Sequence, residues 1–130
     1  MKYYFNKILK QKGFENAIAQ VTAELKKEGF GVLTEIDVKD TLKKKIDVDF
    51  KKYKILGACN PQFAYKALQT EDKIGVFLPC NVVVEEHADG AIEVSAVDPI
   101  ASMVAVENES LGSVANQVQE KLKRVIEQLN

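Results

Sequence analysis

The turn at Asp89-Gly90 constrains the fold of this chain more than any other feature of its sequence. It separates two runs rich in β-branched residues, Cys80-Asn81-Val82-Val83-Val84 before it and residues 91–97 after it. An Asp-Gly pair between such runs is typical of a tight β-hairpin, in which the two strands are antiparallel. The sequence therefore favours an α+β two-layer sandwich over a doubly wound parallel sheet.

Two segments have the apolar period of an amphipathic helix. Near the start of the chain this period predicts a helix that ends before Gly29, where a C-terminal glycine belongs. Its apolar positions are Phe14, Ile18, Val21 and Leu25. The last helix keeps the period for five turns and has Glu120 and Arg124 as a supporting pair. Its apolar positions are Leu111, Val114, Val118, Leu122, Val125 and Leu129.

The remaining segments complete an order of βαβαβαββα, with a largely antiparallel sheet and helices packed on one face. Strands are predicted at 2–9, 30–36 and 52–59 from their aromatic and branched residues. Asp37 is predicted to cap a short helix over 38–46, and Asn60-Pro61 to open another helix, because asparagine suits the N-cap and proline the first helical position. Asp98-Pro99 is expected to start a short helical segment. Since no linker or repeat interrupts the chain, residues 1–130 are interpreted as a single domain.

Composition excludes several classes of function. The chain has 130 residues, 28% of them charged, and a net charge of −1. An extended nucleic-acid or anionic-membrane surface needs a basic excess, so neither partner is expected. Seven lysines between Lys39 and Lys54 are interpreted as a solvated face, since no arginine lies among them. With no convincing targeting signal and no apolar run long enough to span a bilayer, a cytoplasmic location is expected, with the two cysteines reduced.

Two cysteine motifs remain as the candidate site: Cys59-Asn60-Pro61 and Pro79-Cys80-Asn81. Cys59 closes a strand immediately before a helix, whose N-terminus can stabilise a thiolate. Cys80 opens the next strand. If the two strands are neighbours, the motifs converge at one edge of the sheet and form a thiol site that is redox-active, binds a ligand or holds a soft metal such as Cu(I). Alternatively both cysteines are small buried core residues.

Other candidates for chemistry are fewer. Glu35 could place a carboxylate near the thiols as a proton acceptor or ligand. The simpler interpretation is that Glu35 faces water and that Asp37 only caps a helix. The single histidine, His87, is interpreted as a solvated residue beside the hairpin turn. The sequence has no Gly-rich phosphate loop, no Gly-x-Ser-x-Gly elbow and no Cys-x-x-Cys motif, so no catalytic residue is assigned and enzymatic activity is not expected.

The runs Gly29–Asp37, Tyr53–Pro61 and Leu78–Val84 together resemble the small bacterial and archaeal family of domain of unknown function 302. The resemblance extends over nearly the whole chain, including the Asp89-Gly90 turn and Asp98-Pro99. It implies a two-layer α+β fold similar to that of the TATA-binding protein, and often a dimer. It implies no activity, but it marks both cysteine motifs as signature positions.

Two hypotheses follow from the sequence. The first is a small cytosolic binding or thiol-redox module with ligand-binding residues Cys59, Asn60, Cys80, Asn81 and Glu35, taking a small ligand, a sulfur species or a soft metal. The second is a structural or interaction protein that forms a homodimer and uses its cysteines as core packing. The sequence leaves the cofactor unknown.

Overall fold

The computed structural model describes residues 2–130 and contains one five-stranded sheet. The strands are β1 (Tyr4–Leu9), β2 (Gly31–Asp37), β3 (Tyr53–Cys59), β4 (Cys80–Glu86) and β5 (Ile92–Val97). They lie in the spatial order β1-β5-β4-β3-β2, and every neighbouring pair is antiparallel. The helices are α1 (Phe14–Lys27), α2 (Val38–Ile46), α3 (Pro61–Thr70), α4 (Pro99–Ser102) and α5 (Gly112–Gln128). The predicted α+β class is confirmed.

The hairpin between β4 and β5 has the antiparallel pairing that the sequence predicts. Its loop closes with hydrogen bonds from the His87 N–H to the Ala91 carbonyl at 2.8 Å and from the Gly90 N–H to the His87 carbonyl at 2.9 Å. Gly90 has φ +86°, a left-handed conformation that side chains other than glycine rarely adopt. The Asp-Gly pair thus fixes this turn as the sequence argument requires.

Capping residues define the helix ends. The Asp37 carboxylate accepts a hydrogen bond from the Asp40 N–H at 2.9 Å and begins α2, and the Asp98 carboxylate does the same for α4. Helix α1 ends in a Schellman motif, in which the Phe30 N–H donates to the Leu25 carbonyl at 2.9 Å and Gly29 has φ +87°. These three caps agree with the sequence predictions.

The core lies between the sheet and the helices α1 and α5. Alternate residues of the three central strands point into it, and all of them are almost completely buried: Leu56, Ala58, Val82, Val84, Ile92, Val94 and Ala96. The apolar positions predicted for the first helix are buried, and so are those of the last helix except for the half-buried Val114. The helical period therefore identified both helices and the faces that they bury.

A second, smaller apolar cluster lies beside the main core and contains Ala67, Ile74 and Leu111. Ile74 belongs to a 3₁₀ helix at Asp72–Phe77, and Leu111 to another at Glu109–Leu111. Neither 3₁₀ helix was predicted, because segments this short have no readable apolar period. The half-buried Val114 at the start of α5 packs against both clusters.

One predicted ion pair is wrong. Arg124 does not pair with Glu120 along α5 but with Glu28, which follows α1. Its guanidinium makes three hydrogen bonds to the Glu28 carboxylate, at 3.0–3.2 Å. Because Glu28 is 96 residues away in the chain, no local spacing rule could have indicated this contact between the two core helices.

Candidate functional site

The two cysteine motifs meet at one end of the sheet, because β3 and β4 are neighbours. In their antiparallel register Ala58 is opposite Cys80, so Cys59 lies one residue further along β3. Pro79, joined to Leu78 by a cis peptide bond, immediately precedes β4. The chain thus brings the two thiols together from residues 21 positions apart in the sequence.

Both cysteines line one cavity of about 40 Å³. At roughly 10–15 Å³ for each water-sized group, a cavity of this volume holds an ion or a few atoms rather than an organic substrate. The other side chains that line it are almost all apolar and come from β3, α3, α4 and α5 and from the segments that flank β2, β4, α4 and α5. They include Phe30, Phe63, Ala67, Leu78, Pro99, Met103, Leu111 and Val118.

Met103 adds a third sulfur to the lining of this cavity. It follows α4 and packs, half-buried, against the smaller apolar cluster. Thioether and thiolate sulfurs are the ligands that soft metals such as Cu(I) prefer. Sequence reasoning missed Met103, because an isolated methionine is usually a core residue and 23 positions separate it from Cys80.

The two thiols differ in burial. Cys80 is only 8% exposed and belongs to the main core, whereas Cys59 is half-buried. Burial, and to a smaller extent the neighbouring Cys59 thiol, raise the pKa of the Cys80 thiol to about 11. At neutral pH Cys80 is therefore protonated and weakly nucleophilic, unless a bound cation replaces its proton.

Asn60 lines the cavity but does not make the predicted contact. It occupies the N-cap position of α3, with extended backbone angles, and Pro61 follows at the first helical position as expected. Its side chain, however, accepts no hydrogen bond from α3; its amide donates to the Glu28 carbonyl at 3.3 Å. The amide thus links the start of α3 to the end of α1 and holds the wall of the cavity.

The structure does not bring the other two predicted site residues to the thiols. Asn81 is exposed and lines a groove on the opposite face of the sheet, because successive residues of a strand point to opposite faces. Glu35 is exposed on β2 opposite Leu56, whereas Cys59 is opposite Gly31. Four residues along a strand correspond to about 13 Å, so the Glu35 backbone lies well away from Cys59.

His87 is not the free solvated residue that the sequence suggested. It is half-buried, and its Nε2 lies 2.8 Å from the Glu93 carboxylate. Glu85, on the neighbouring strand β4, completes a group of three donors whose ligand atoms lie within 4.8 Å of one another, the one such group among residues 2–130. The group lies on the face of the sheet away from the thiols, and Lys51 and Asn6 already bind its carboxylates.

Two lysines of the lysine-rich run pair with carboxylates of the same run. Lys43 pairs with Asp47 at 2.8 Å, and Lys44 with Asp40 at 3.0 Å. Helix α2, which contains both lysines, has no buried residue. These contacts agree with the interpretation of the run as a solvated face. Across residues 2–130, no helix combines the length and the hydropathy needed to span a membrane.

Comparison with known proteins identifies a family and a structural neighbour of this chain. The family model described as "Domain of unknown function DUF302" matches residues 5–129. The crystal structure of an uncharacterized conserved DUF302 protein from Bacillus stearothermophilus superimposes with a TM-score of 0.91. The two chains are 27% identical, and the match covers 100% of each. No curated protein matches this sequence.

Proposed function

This chain belongs to the DUF302 family, and from that premise we propose that it is a small binding module whose paired thiols, Cys59 and Cys80, hold a soft monovalent metal ion such as Cu(I). The observation that carries the proposal is that Cys59, Cys80 and Met103 line the same small apolar cavity. Soft metal ions select such sulfur ligands, and Cu(I) needs only two or three of them.

The size and lining of the cavity support an ion over an organic ligand. Its volume of about 40 Å³ suits a single ion with its sulfur ligands. Apart from its sulfur atoms the cavity offers few polar groups that could orient an organic substrate. A hard cation would be disfavoured for the same reason, because hard cations require several oxygen ligands.

The raised pKa of Cys80 supports a coupling between metal binding and loss of the thiol proton. The raised pKa of Cys80 means that its proton must be displaced when a metal binds. Helix α3 starts two residues after Cys59, and its N-terminal N–H groups favour negative charge on the bound thiolates. Bound Cu(I) would therefore release about one proton or more from this site near neutral pH.

The test is a competition titration of the reduced protein with a chromophoric Cu(I) chelator under anaerobic conditions. The wild type should take one equivalent of Cu(I), and Cys59→Ser should weaken binding by more than about 100-fold, since even partners outside the ligand shell are worth about 10–100-fold. Met103→Leu, which removes only the thioether, should weaken it less. Circular dichroism verifies that each variant is folded.

A wild type that binds Cu(I) no better than the Cys59→Ser/Cys80→Ser double variant would overturn the proposal. Thiol alkylation before and after Cu(I) addition gives a second readout. Cys59 should react in the native protein and become protected when Cu(I) is bound, whereas Cys80 should react slowly in both states. Alkylation of Cys59 that Cu(I) does not slow would equally contradict a thiol-built metal site.

The second candidate function is self-association, with Cys80 serving as packing in the main core. It is favoured by exposed apolar side chains on α3 and the following 3₁₀ helix, namely Tyr65, Leu68, Val76 and Phe77. A homodimer through this surface should sediment as a dimer at micromolar concentration, and Val76→Lys should convert it to monomer. A wild-type monomer under those conditions would contradict it. The homodimer and the cytoplasmic location stay predictions.

A further inference from the structure

The sheet face opposite the core contains a groove of about 420 Å³ that the thiol proposal does not use. A volume of this size accommodates a small organic molecule. Three phenol rings line it, those of Tyr3, Tyr4 and Tyr53. The carboxylates of Glu85 and Glu93 also line it. Three of the four tyrosines of the chain are thus gathered around two acidic groups.

The Glu85 and Glu93 carboxylates lie close enough to repel each other, so positive charge beside them is stabilising. Glu85 and Glu93 are directly opposite each other on β4 and β5, and like charges in this arrangement are unfavourable. The Lys51 ammonium lies 2.6 Å from the Glu85 carboxylate. Glu93 accepts a hydrogen bond from the neutral Asn6 amide at 2.8 Å and contacts His87. The Glu93 side of the groove therefore has less permanent positive charge than the Glu85 side.

The rings already interact with ammonium groups of the chain itself. Lys51 Nζ lies 6.0 Å from the centroid of the Tyr53 ring, and Lys2 Nζ lies 5.1 Å from that of Tyr4. The Tyr3 and Tyr4 rings meet edge to face, with centroids 5.1 Å apart. Cations within about 6 Å of a ring centroid are attracted to the face of the ring. Both ends of the groove thus show the geometry that an alkylammonium group requires.

We propose that this groove binds a small organic cation with an alkylammonium head group. The tyrosine rings contact the head group, and the Glu93 carboxylate supplies the counter-charge. An organic anion is disfavoured because the two acidic side chains face the groove. A bare divalent ion is disfavoured because the groove is far larger than such an ion and because Lys51 and Asn6 already bind the carboxylates.

The experiment uses choline and its neutral isostere 3,3-dimethylbutan-1-ol as probes of the full chain. Binding is followed by ¹⁵N–¹H chemical-shift perturbation at Val83 and Ser95, and by tyrosine emission, which no tryptophan obscures. Choline should bind at least about tenfold more tightly than the isostere. The two molecules have the same shape, so the difference in affinity measures the contribution of the positive charge. Perturbation should be confined to the groove.

Variants assign the binding to the proposed groups. Tyr53→Leu and Glu93→Gln should each weaken choline binding by about threefold to tenfold. The matched control is Tyr65→Leu, which removes a 64% exposed tyrosine on α3 and should leave binding unchanged. Lys51→Met should strengthen binding, because it removes the ammonium group that competes for Glu85 and Tyr53.

Equal binding of choline and its isostere would overturn the proposal, since the groove would then recognise only apolar shape. Failure of choline to perturb the groove would also overturn it. Perturbation of Glu85, His87 and Glu93 by Zn²⁺ would then assign these residues to a metal ion. Weaker choline binding by Lys51→Met would contradict the assigned competition. None of these outcomes bears on Cu(I) binding, so the two proposals fail independently.

Discussion

The two faces of the sheet consist of alternate residues of the same strands, yet they have different roles. On the covered face, β3, β4 and β5 present fully buried aliphatic side chains to α1 and α5. On the open face, the same strands present half-buried tyrosine, valine, serine and glutamate side chains around a groove. The period-2 alternation of the strands therefore separates residues for stability from residues available for recognition.

The thiol cavity lies on the covered side of the sheet but at one end of the strands, where the main core meets the smaller apolar cluster. Its lining includes Phe30 and Ala58 from the main core, and Ala67 and Leu111 from the smaller cluster. Because the two clusters pack separately, the side chains between them do not fill all of the space. In this covered face, the small sulfur-lined space lies where the packing changes from the main core to the smaller cluster.

The largest expected effect comes from the same substitution on the two faces. Val82 is completely buried, and its neighbour Val83 is half-buried on the open face. Val82→Ala should lower the free energy of unfolding by about 2–3 kcal/mol, because two buried methyl groups are lost and a cavity is left. Val83→Ala should cost less than about 1 kcal/mol. Urea denaturation followed by circular dichroism measures both; equal losses would refute the assignment of the faces.

A second prediction concerns a tightly packed place on the open face, at Gly57. A Cβ at Gly57 would overlap the Thr34 Oγ1 and would lie 2.8 Å from the Pro79 Cγ. Gly57→Ala should therefore cost about 1–3 kcal/mol in stability, because the proline ring cannot move aside easily. Thr34→Ala in the same chain should recover part of that loss, measured by the same denaturation experiment.

Gly75→Ala is the matched control for that experiment, since its added Cβ would meet no atom within 4 Å. It should change the stability little. A Gly57→Ala variant as stable as the Gly75→Ala variant would show that β2 and the Pro79 turn are loosely packed.

Most of the fold could be predicted from the sequence because its signals are local. The Asp89-Gly90 turn, the caps at Asp37 and Asp98, and the apolar period of the two long helices each depend on a few neighbouring residues. The 3₁₀ helices could not be predicted, because they are too short to carry a period. The Arg124 contact to Glu28 was missed because it depends on how α1 and α5 pack, which the helical period alone does not specify.

The candidate site was only partly predictable. Pairing of β3 with β4 follows from their adjacency in the chain and brings Cys59 to Cys80, as the sequence suggested. Met103 directly follows α4 and lines the cavity, and the position of α4 depends on tertiary packing that the sequence pattern does not specify. Asn81 was grouped with Cys80 because they are adjacent in sequence, although adjacency in a strand places their side chains on opposite faces.

A third prediction distinguishes the two thiols. Cys80→Ser places a hydroxyl in the main core and should lower the free energy of unfolding by about 1–3 kcal/mol. Cys59→Ser, at the half-buried position, should cost less than about 1 kcal/mol. Urea denaturation under reducing conditions without metal measures the intrinsic cost. The reverse order of stability would show that Cys59, and not Cys80, is the better packed thiol.

The smallest effect is expected at the rim of the covered face, where Arg124 binds Glu28. The Arg124 guanidinium, chiefly through its hydrogen bonds, holds the pKa of the Glu28 carboxyl below its usual value. A carboxyl whose pKa is lowered by folding stabilises the native state above its unfolded pKa, and that contribution disappears as the pH falls through the folded pKa. Arg124→Met should therefore lower stability at pH 7 by less than Cys80→Ser does.

The pH dependence separates this ion pair from simple packing by the arginine stem. The difference in thermal midpoint between wild type and Arg124→Met should shrink as the pH falls below the unfolded pKa of Glu28, near 4.3. Glu120→Gln, which changes a carboxylate on the same helix that does not pair with Arg124, should leave that pH dependence intact. A difference that persists unchanged in acid would mean that Arg124 stabilises the contact between α1 and α5 through its apolar stem and not through its charge.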